Sequence, residues 1–529
     1  MFPLQLPAFG ETVFFDDQEN KTSRVVLIPE AAPTAFDDYC ALLEKEGFCR
    51  KEENFLPHRR FAAYQKDGWG VFLNDFAGVR QLQLVVEEGS AYFGYSDTPG
   101  QPRVRPHLTQ VFLSDYGLSD VIRLSDGRLI LVDGANVYEK DIDNLFARLK
   151  KESPDETPVI AAWILTHPHS DHYFCFFPFM EKYGDQVVIE KFFFNFPEGD
   201  DLAHYPKLEK DGTRYAQWKG IETITGGQIL QQFREDVAKM DVPVYTPHTG
   251  QRYAIGDARL EFLGTMDDTV HRSQNINATS LMFMMELGGQ RIFLTGDGSF
   301  SDAYLAQRYG KELKADILQV PHHGFGCGTE KGQMEAYRLI APQVCLLPVE
   351  KKLAYTSFTT YRGGTAFLFT HMNVQEMITG EAERTLELPY EADPAGAVEL
   401  EQRYTRGRDD SGARTWIFTD LYTGCQEDFM FSVLNTTYLN ADLSVELYFE
   451  NMQKKIVRME NKGLRLGVFR LNCLLHPEED QTAFHAPDFL ESLGIPENTY
   501  FAVRFTSSVP VVISHRNHQP AYRSEWRSG

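Results

Sequence analysis

The apolar and polar positions of this chain fall into three blocks with different rhythms. In the first, SRVVLIPE carries a short apolar run that predicts a strand, and AFDDYCALLEKEGF places Phe36, Cys40, Leu43 and Phe48 at helical spacing. RFAAYQK, GWGVFLND and VRQLQLVVEEG follow as strands of mixed or alternating pattern. The turn formers and prolines of YSDTPGQPRVRPH close the block and set a boundary near residue 105.

The second block alternates strands and helices. VIRLSDGRLILVDGA predicts two strands joined at Asp126-Gly127, YEKDIDNLFARLKKE a helix, and PVIAAWILT a strand buried on both faces. SLMFMMELGGQRIFLTGDG, ADILQV and VCLLPV repeat the buried-strand pattern, with helical stretches in GQMEAYRLI and YRGGTAFLFTH. EKFFFNF adds a strand whose Phe192, Phe193 and Phe194 belong in a core rather than on a base-stacking platform. This alternation predicts layered sheets covered by helices.

After residue 388, the acidic, Gly- and Pro-bearing PYEADPAGAVELEQRYTRGRDDSGAR interrupts the pattern. RTWIFTDLY, DFMFSVLN and LSVELYF then alternate as half-buried strands do. The expected organisation is an N-terminal α+β domain (1–105), a central α/β domain (106–388) and a C-terminal β-rich domain (389–529).

Composition narrows the partners more than the fold. With 43% hydrophobic and 24% charged residues among 529, a collagen-like, disordered or membrane-embedded chain is excluded. Lys plus Arg number 52 against 75 Asp plus Glu, a net charge of −23 that disfavours polyanions such as nucleic acid except in a local basic groove. The cations of KKIVRMENKGLRLGVFR (Lys454, Lys455, Arg458, Lys462, Arg465, Arg470) read as a solvated strand face. Seven scattered cysteines without a CxxC read as reduced thiols, neither a bridge network nor a Cys-type zinc site. MFPLQLPAFGETVFFDDQENK lacks the basic start and apolar run of a secretory leader, and no apolar run reaches the roughly 18 residues of a membrane span. The expectation is a cytoplasmic protein without membrane association.

The chemistry concentrates in PVIAAWILTHPHSDHYFCFF. A buried strand there delivers His167, His169, Asp171 and His172 within six positions. Three imidazoles and a carboxylate cannot be packed as core, because each needs a polar partner. His and Asp together suit zinc or a similar divalent ion. His167 and His169 are two apart and can grip one ion from one side, while Asp171 and His172 face a second position after the chain turns. A two-ion site needs a bridging carboxylate. Asp297, between Gly296 and Gly298 after the apolar run RIFL, and His322-His323, after ADILQV, lie at the ends of two further strands.

HPHSDH matches the HxHxDH signature of the metallo-β-lactamase superfamily, and TGDG and PHHG resemble its later motifs. The resemblance spans roughly residues 110–388, and SLMFMMELGGQRIFLTGDG with ADILQVPHHG looks most like the hydrolase domain attached to competence-type DNA-uptake channels. It implies an αββα sandwich binding two zinc ions, with Mn2+ or Fe admissible. His167 and His169 would hold the first ion, Asp171 and His172 the second, and Asp297 would bridge. His322 is the expected remaining ligand of the second ion, with His323 the lesser candidate or a substrate contact. Asp133, in ILVDGA, would orient a ligand imidazole. Asn277 stands 20 residues before Asp297, where many relatives carry a histidine ligand. It is either a weak ligand through its amide oxygen or a turn former, and His271 could substitute from its loop. The remaining histidines, among them His58, His204, His371 and His485, read as surface or core residues.

The implied activity is hydrolysis by a hydroxide shared between the ions, with Asp171 accepting a proton and a phosphodiester (a small phosphoester or a nucleic acid strand) as substrate. Two alternatives are a carbonyl-centred hydrolase acting on a lactone, thioester or amide, and a non-catalytic metal-binding scaffold.

Overall fold

The structure, a computed structural model, describes residues 23–518 apart from 57–58, 90–95, 116, 209–211, 270–272, 302, 325–330, 350–373, 394–411, 423–427, 438, 451–453, 462, 464 and 471–498. The expected helix at 361–371 and His58, His271, His371 and His485 lie outside the described residues.

The first block folds as read, with one strand that the pattern did not reveal. β1 (Ser23–Ile28), α1 (Ala35–Lys45), β2 (Cys49–Leu56), β3 (Arg59–Lys66), β4 (Trp69–Phe76) and β5 (Gln81–Glu88) form an antiparallel sheet of order β1-β5-β4-β3-β2 with one helix. The buried face of α1 (Phe36, Tyr39, Cys40, Leu43) packs on Tyr64, Val71, Leu73 and Leu84. The other face of the sheet presents Phe61, Ala63, Phe72 and Val85.

Two larger sheets follow. The first has the order β12-β11-β9-β8-β7-β6-β20, with β10 on β9, from β6 (His107–Gln110), β7 (Ser119–Arg123), β8 (Leu129–Asp133), β9 (Val159–Ile164), β10 (Val188–Ile189), β11 (Phe192–Phe193), β12 (Val244–Tyr245) and β20 (Arg384–Glu387). The second runs β13-β14-β15-β16-β17-β18-β19, from β13 (Arg252–Ile255), β14 (Ala258–Gly264), β15 (Met282–Leu287), β16 (Gln290–Leu294), β17 (Ile317–Gln319), β18 (Val344–Leu347) and β19 (Glu376–Thr379). Ile122, Ile130, Val132 and Ile164 from the first sheet interleave with Phe262, Phe283, Leu294, Ile317 and Val344 from the second.

Helices cover the outer faces. α2 (Glu139–Glu152), α4 (Phe176–Tyr183) and α6 (Gly226–Lys239) pack Leu145, Phe179 and Phe233 against Leu131, Trp163 and Phe192. Near α7 (Leu305–Tyr309), Phe300 stacks on Phe293 and meets edge-on the ring of Tyr337 in α8 (Lys331–Ile340). The result is a metallo-β-lactamase-type αββα sandwich. Strands buried on both faces need apolar residues at every position, which is why PVIAAWILT carries no alternation.

The N-terminal sheet shares one compact unit with this sandwich (residues up to 354 and 371–393), although the sequence pattern separates them near residue 105. The second unit (355–370 and 394–529) contains β21 (Ala413–Tyr422), β22 (Asp428–Asn435), β23 (Ala441–Phe449), β24 (Lys454–Asn461), β25 (Arg465–Arg470) and β26 (Tyr500–His518). Burial along β23 alternates strictly, as a half-buried strand requires. Lys454, Arg458 and Arg465 are exposed there, and Lys454 pairs with Glu446 at 3.1 Å. Among the described residues, no helix is long and apolar enough to cross a membrane.

Candidate metal centre

Four chain segments meet at one edge of the sandwich. β9 stops at Ile164 and its backbone continues through Thr166 into His167 and His169, after which α3 (Ser170–Tyr173) turns Asp171 and His172 inward. Asp133, at the end of β8, fixes this turn. Its Oδ1 accepts from Thr166 N and its Oδ2 from Thr166 Oγ1, both at 2.7 Å, and Oδ2 also lies 2.8 Å from Nδ1 of His172. Asp133 holds a left-handed backbone (φ 52), which places its carboxylate under the motif. Trp163 Nε1 donates to the carbonyl of Asp133 at 3.0 Å and braces the same turn.

The second sheet brings Asp297. Its backbone N donates to Ser280 Oγ at 3.1 Å, and Leu281 N donates to Thr166 O at 2.9 Å, joining the two sheets at the site. Gly296 takes φ 52, and a Cβ there would stand 2.7 Å from Thr166 Oγ1. Only glycine permits that approach. β17 then supplies His322 and His323, consecutive residues in left-handed conformation (φ 52 and 49) that point different ways.

The ligand-type atoms sort into two groups, one of His167, His169 and Asp297 and one of Asp171, His172 and His323, each within 4.8 Å of one another. Asp297 faces both. Its Oδ2 lies 3.7 Å from Nε2 of His167, and its Oδ1 lies 3.3 Å from Nε2 of His172 and 3.6 Å from Nε2 of His323. Asp171 Oδ2 is 3.2 Å from Nε2 of His323.

His323, and not the expected His322, stands in the second group. His322 Nε2 instead accepts from Asn277 Nδ2 at 3.0 Å and reaches Asp297 only at 4.0 Å. The reason is the backbone: two successive positive-φ residues turn the first imidazole to the half-exposed rim and the second into the interior. Asn277 lies beside the His322-His323 pair, with its Oδ1 buried and without a hydrogen-bond partner. It sits in a short helical turn, Ile276–Thr279, as the rim partner of His322.

Burial and charge oppose each other here. Burial pushes the His167 imidazole well below its ordinary pKa, helped by the neighbouring His172. For His172, burial is outweighed by Asp297, Asp171 and Asp133, which hold it well above. Burial likewise opposes ionisation of Asp297, but His172, His323 and His167 hold its carboxyl far below the usual range. Asp171 is depressed for the same reason, by His172 and His323 against its burial. The carboxylates of Asp171 and Asp297 thus stabilise positive charge on the imidazoles of His172 and His323, joined at His172 by Asp133.

A divalent cation fits this set. Nε2 of His167, Nε2 of His172 and Oδ1 of Asp297 are buried and find no well-aligned hydrogen bond, although they face one another. Buried polar atoms left in that state are costly, and a cation between them relieves the cost. Sequence reasoning missed Thr166 and Ser280. Thr166 directly precedes the motif, so its position was a usable signal, whereas nothing local singles out Ser280. Of the other histidines, His204 lies against the Tyr205 ring, while His107 and His248 are buried against carboxylates.

A two-sheet αββα sandwich with paired His/Asp groups at its strand ends defines a metallo-β-lactamase-type fold with candidate metal sites. The metallo-β-lactamase superfamily model matches residues 116–324, and that part of the chain forms a domain of this type. No curated protein matches the chain. Similar solved structures include human tRNase Z, short form (13% identity, 56% of this chain and 97% of that one, TM-score 0.26). A flavo di-iron protein mutant from Thermotoga maritima is 11% identical over 69% of this chain and 63% of that one, at TM-score 0.21. The Anabaena sensory rhodopsin transducer is 22% identical over 22% of this chain and 95% of that one, at TM-score 0.16.

Proposed function

We propose that the chain is a two-metal hydrolase of a phosphodiester. The observation that carries this reading is Asp297, whose two oxygens face separate ligand groups. His167, His169 and Asp297 would hold one ion, and Asp171, His172, His323 and the other oxygen of Asp297 the second. An N/O ligand set of this kind suits zinc, with manganese or iron also compatible. When bound, the ions supply Lewis acidity and bring the pKa of a water towards about 7.

The protein's own groups do the rest. Asp133 fixes His172 so that Nε2 points inward, and Thr166 fixes Asp133. Asp171, kept ionised by His172 and His323, is the acceptor for a proton released at the reacting centre. His322, half-exposed at the rim, is placed to contact the substrate. A paired site suits phosphorus because in-line displacement needs both the attacking and the leaving oxygen stabilised. The resemblance of the TGDG and PHHG segments to the competence-type branch supports the same substrate class. The overall charge of −23 favours a small phosphodiester over a long nucleic acid.

The test is a panel of bis-aryl phosphates, thioesters, lactones and amides, run on the full-length protein and on the double variant His167→Ala, His169→Ala. Turnover of the phosphodiester, abolished in the variant together with bound metal, is the expected result. Turnover confined to the carbonyl substrates would overturn the substrate class, and full activity in the variant would overturn the site.

A further inference from the structure

The N-terminal sheet supplies no residue to either ligand group, yet its inner face buries polar side chains aimed at the sandwich. Asn74 and Gln83 are almost wholly buried. Asn74 Nδ2 donates to Thr249 O at 2.6 Å, and Gln83 Nε2 donates to Asp267 O at 3.2 Å. Between them a charged bridge crosses the junction. Glu87 Oε2 of β5 lies 2.7 Å from Nε2 of His248, and Nδ1 of that imidazole lies 2.8 Å from Oδ2 of Asp267. Phe72 covers the ring at 4.1 Å between centroids. Gly250 (φ 93) allows the approach, since a Cβ there would stand 2.3 Å from Oδ1 of Asn74. Burial disfavours a charged His248, but Asp267 and Glu87 outweigh it and raise its pKa to about 10, while burial pushes the Glu87 carboxyl up against the pull of His248.

Apolar packing alone would seat a sheet without burying an imidazole and two carboxylates, each of which is costly to desolvate. What this bridge fixes is the segment that follows β14. Thr265 Oγ1 donates to Asp267 Oδ2 at 2.9 Å and Thr265 N to Asp268 Oδ2 at 3.0 Å, while the fully buried Arg308 pairs with Asp268. The segment then reaches the site. Thr269 Oγ1 donates to the carbonyl of Ala278 at 3.0 Å, and Ala278 directly follows Asn277, the partner of His322.

We propose that the N-terminal sheet is a positioning element of the hydrolytic site: Glu87, through His248 and Asp267, fixes segment 265–269, whose Thr269 sets Asn277 and thereby His322 over Asp297. The inference rests on the hydrolase reading given above. Glu87, His248 and Thr269 are positioning residues, since none touches the reacting atoms. The side-chain contacts are joined by two stretches of backbone, Asp267 to Thr269 and Ala278 to Asn277, which carry the path between them.

The test uses the full-length protein with Glu87→Ala, the near-isosteric Thr269→Val and the conservative Thr269→Ser. Amide hydrogen exchange is followed at 276–280 and across β15 and β16, and kcat and KM are measured on a bis-aryl phosphate. Glu87→Ala and Thr269→Val are expected to speed exchange at 276–280 at least about tenfold, with β15 and β16 unchanged. They should lower kcat roughly ten- to a hundredfold at nearly constant KM, and Thr269→Ser should restore both readouts. Faster exchange confined to 246–268, or kcat unchanged in Thr269→Val, would overturn the proposal. If the wild-type protein neither binds metal nor turns over the phosphate, the hydrolase reading fails by itself, and exchange at 276–280 still decides whether the sheet acts on the rim.

Discussion

Asp133 Oδ2 lies 2.8 Å from Nδ1 of His172, and both side chains are completely buried. A carboxylate in this position fixes the tautomer of the ring and leaves Nε2 directed at Asp297. Asp133→Asn keeps the shape of the side chain but removes its charge. The variant should fold and lose roughly ten- to a hundredfold in affinity for the ion held by the His172 group. Metal titration by calorimetry checks this; an unchanged affinity would show that Asp133 does not orient His172 for the ion.

The two adjacent histidines separate by role. His323→Ala should leave the protein with one tightly held ion instead of two, because it removes an imidazole from the interior group. His322→Ala should keep both ions and alter turnover alone, since its imidazole is bonded to Asn277 at the rim. Elemental analysis of the two variants side by side reads the difference, and loss of an ion in His322→Ala would reverse the assignment.

Gly296→Ala tests the close approach of the two sheets. The substitution meets a left-handed φ of 52 and a Cβ only 2.7 Å from Thr166 Oγ1 and 2.8 Å from its Cβ. It should cost at least about 1–2 kcal/mol in denaturant unfolding and displace the adjacent Asp297. Reduced metal content should accompany the loss of stability.

Some of this architecture can be read from the chain and some cannot, for physical reasons. The buried strand before His167 was legible because a strand covered on both faces must be apolar throughout. The grouping of His167 with His169 and of Asp171 with His172 followed from a two-residue repeat and then a turn. The choice between His322 and His323 was not legible, since it depends on two left-handed backbone angles at non-glycine residues. α6 escaped the apolar-pattern reading although Thr225 and Gln228 form a capping box, a signal present in the sequence. The Glu87–His248–Asp267 bridge joins residues far apart in the chain, and no local pattern announces such a contact.

Acid should weaken the sandwich through Glu152. This carboxylate resists ionisation by burial, but His107, Arg148 and Thr109 outweigh that and bring its pKa from 4.5 to about 2. A folded pKa below the unfolded one means that the stabilisation is complete above pH 4.5 and is lost as pH falls towards 2. The loss amounts to about 3 kcal/mol. Urea unfolding of wild type and Glu152→Gln between about pH 6 and about pH 3, the range of carboxylate titration, should show a steeper decline in the wild type; parallel curves would contradict it.

The paired ligand groups predict two cation positions on this chain. Anomalous diffraction from crystals of the full-length protein grown with zinc should show two peaks, one among His167, His169 and Asp297 and one among Asp171, His172 and His323. An absence of peaks there, or a single ion bound elsewhere on the chain, would contradict it.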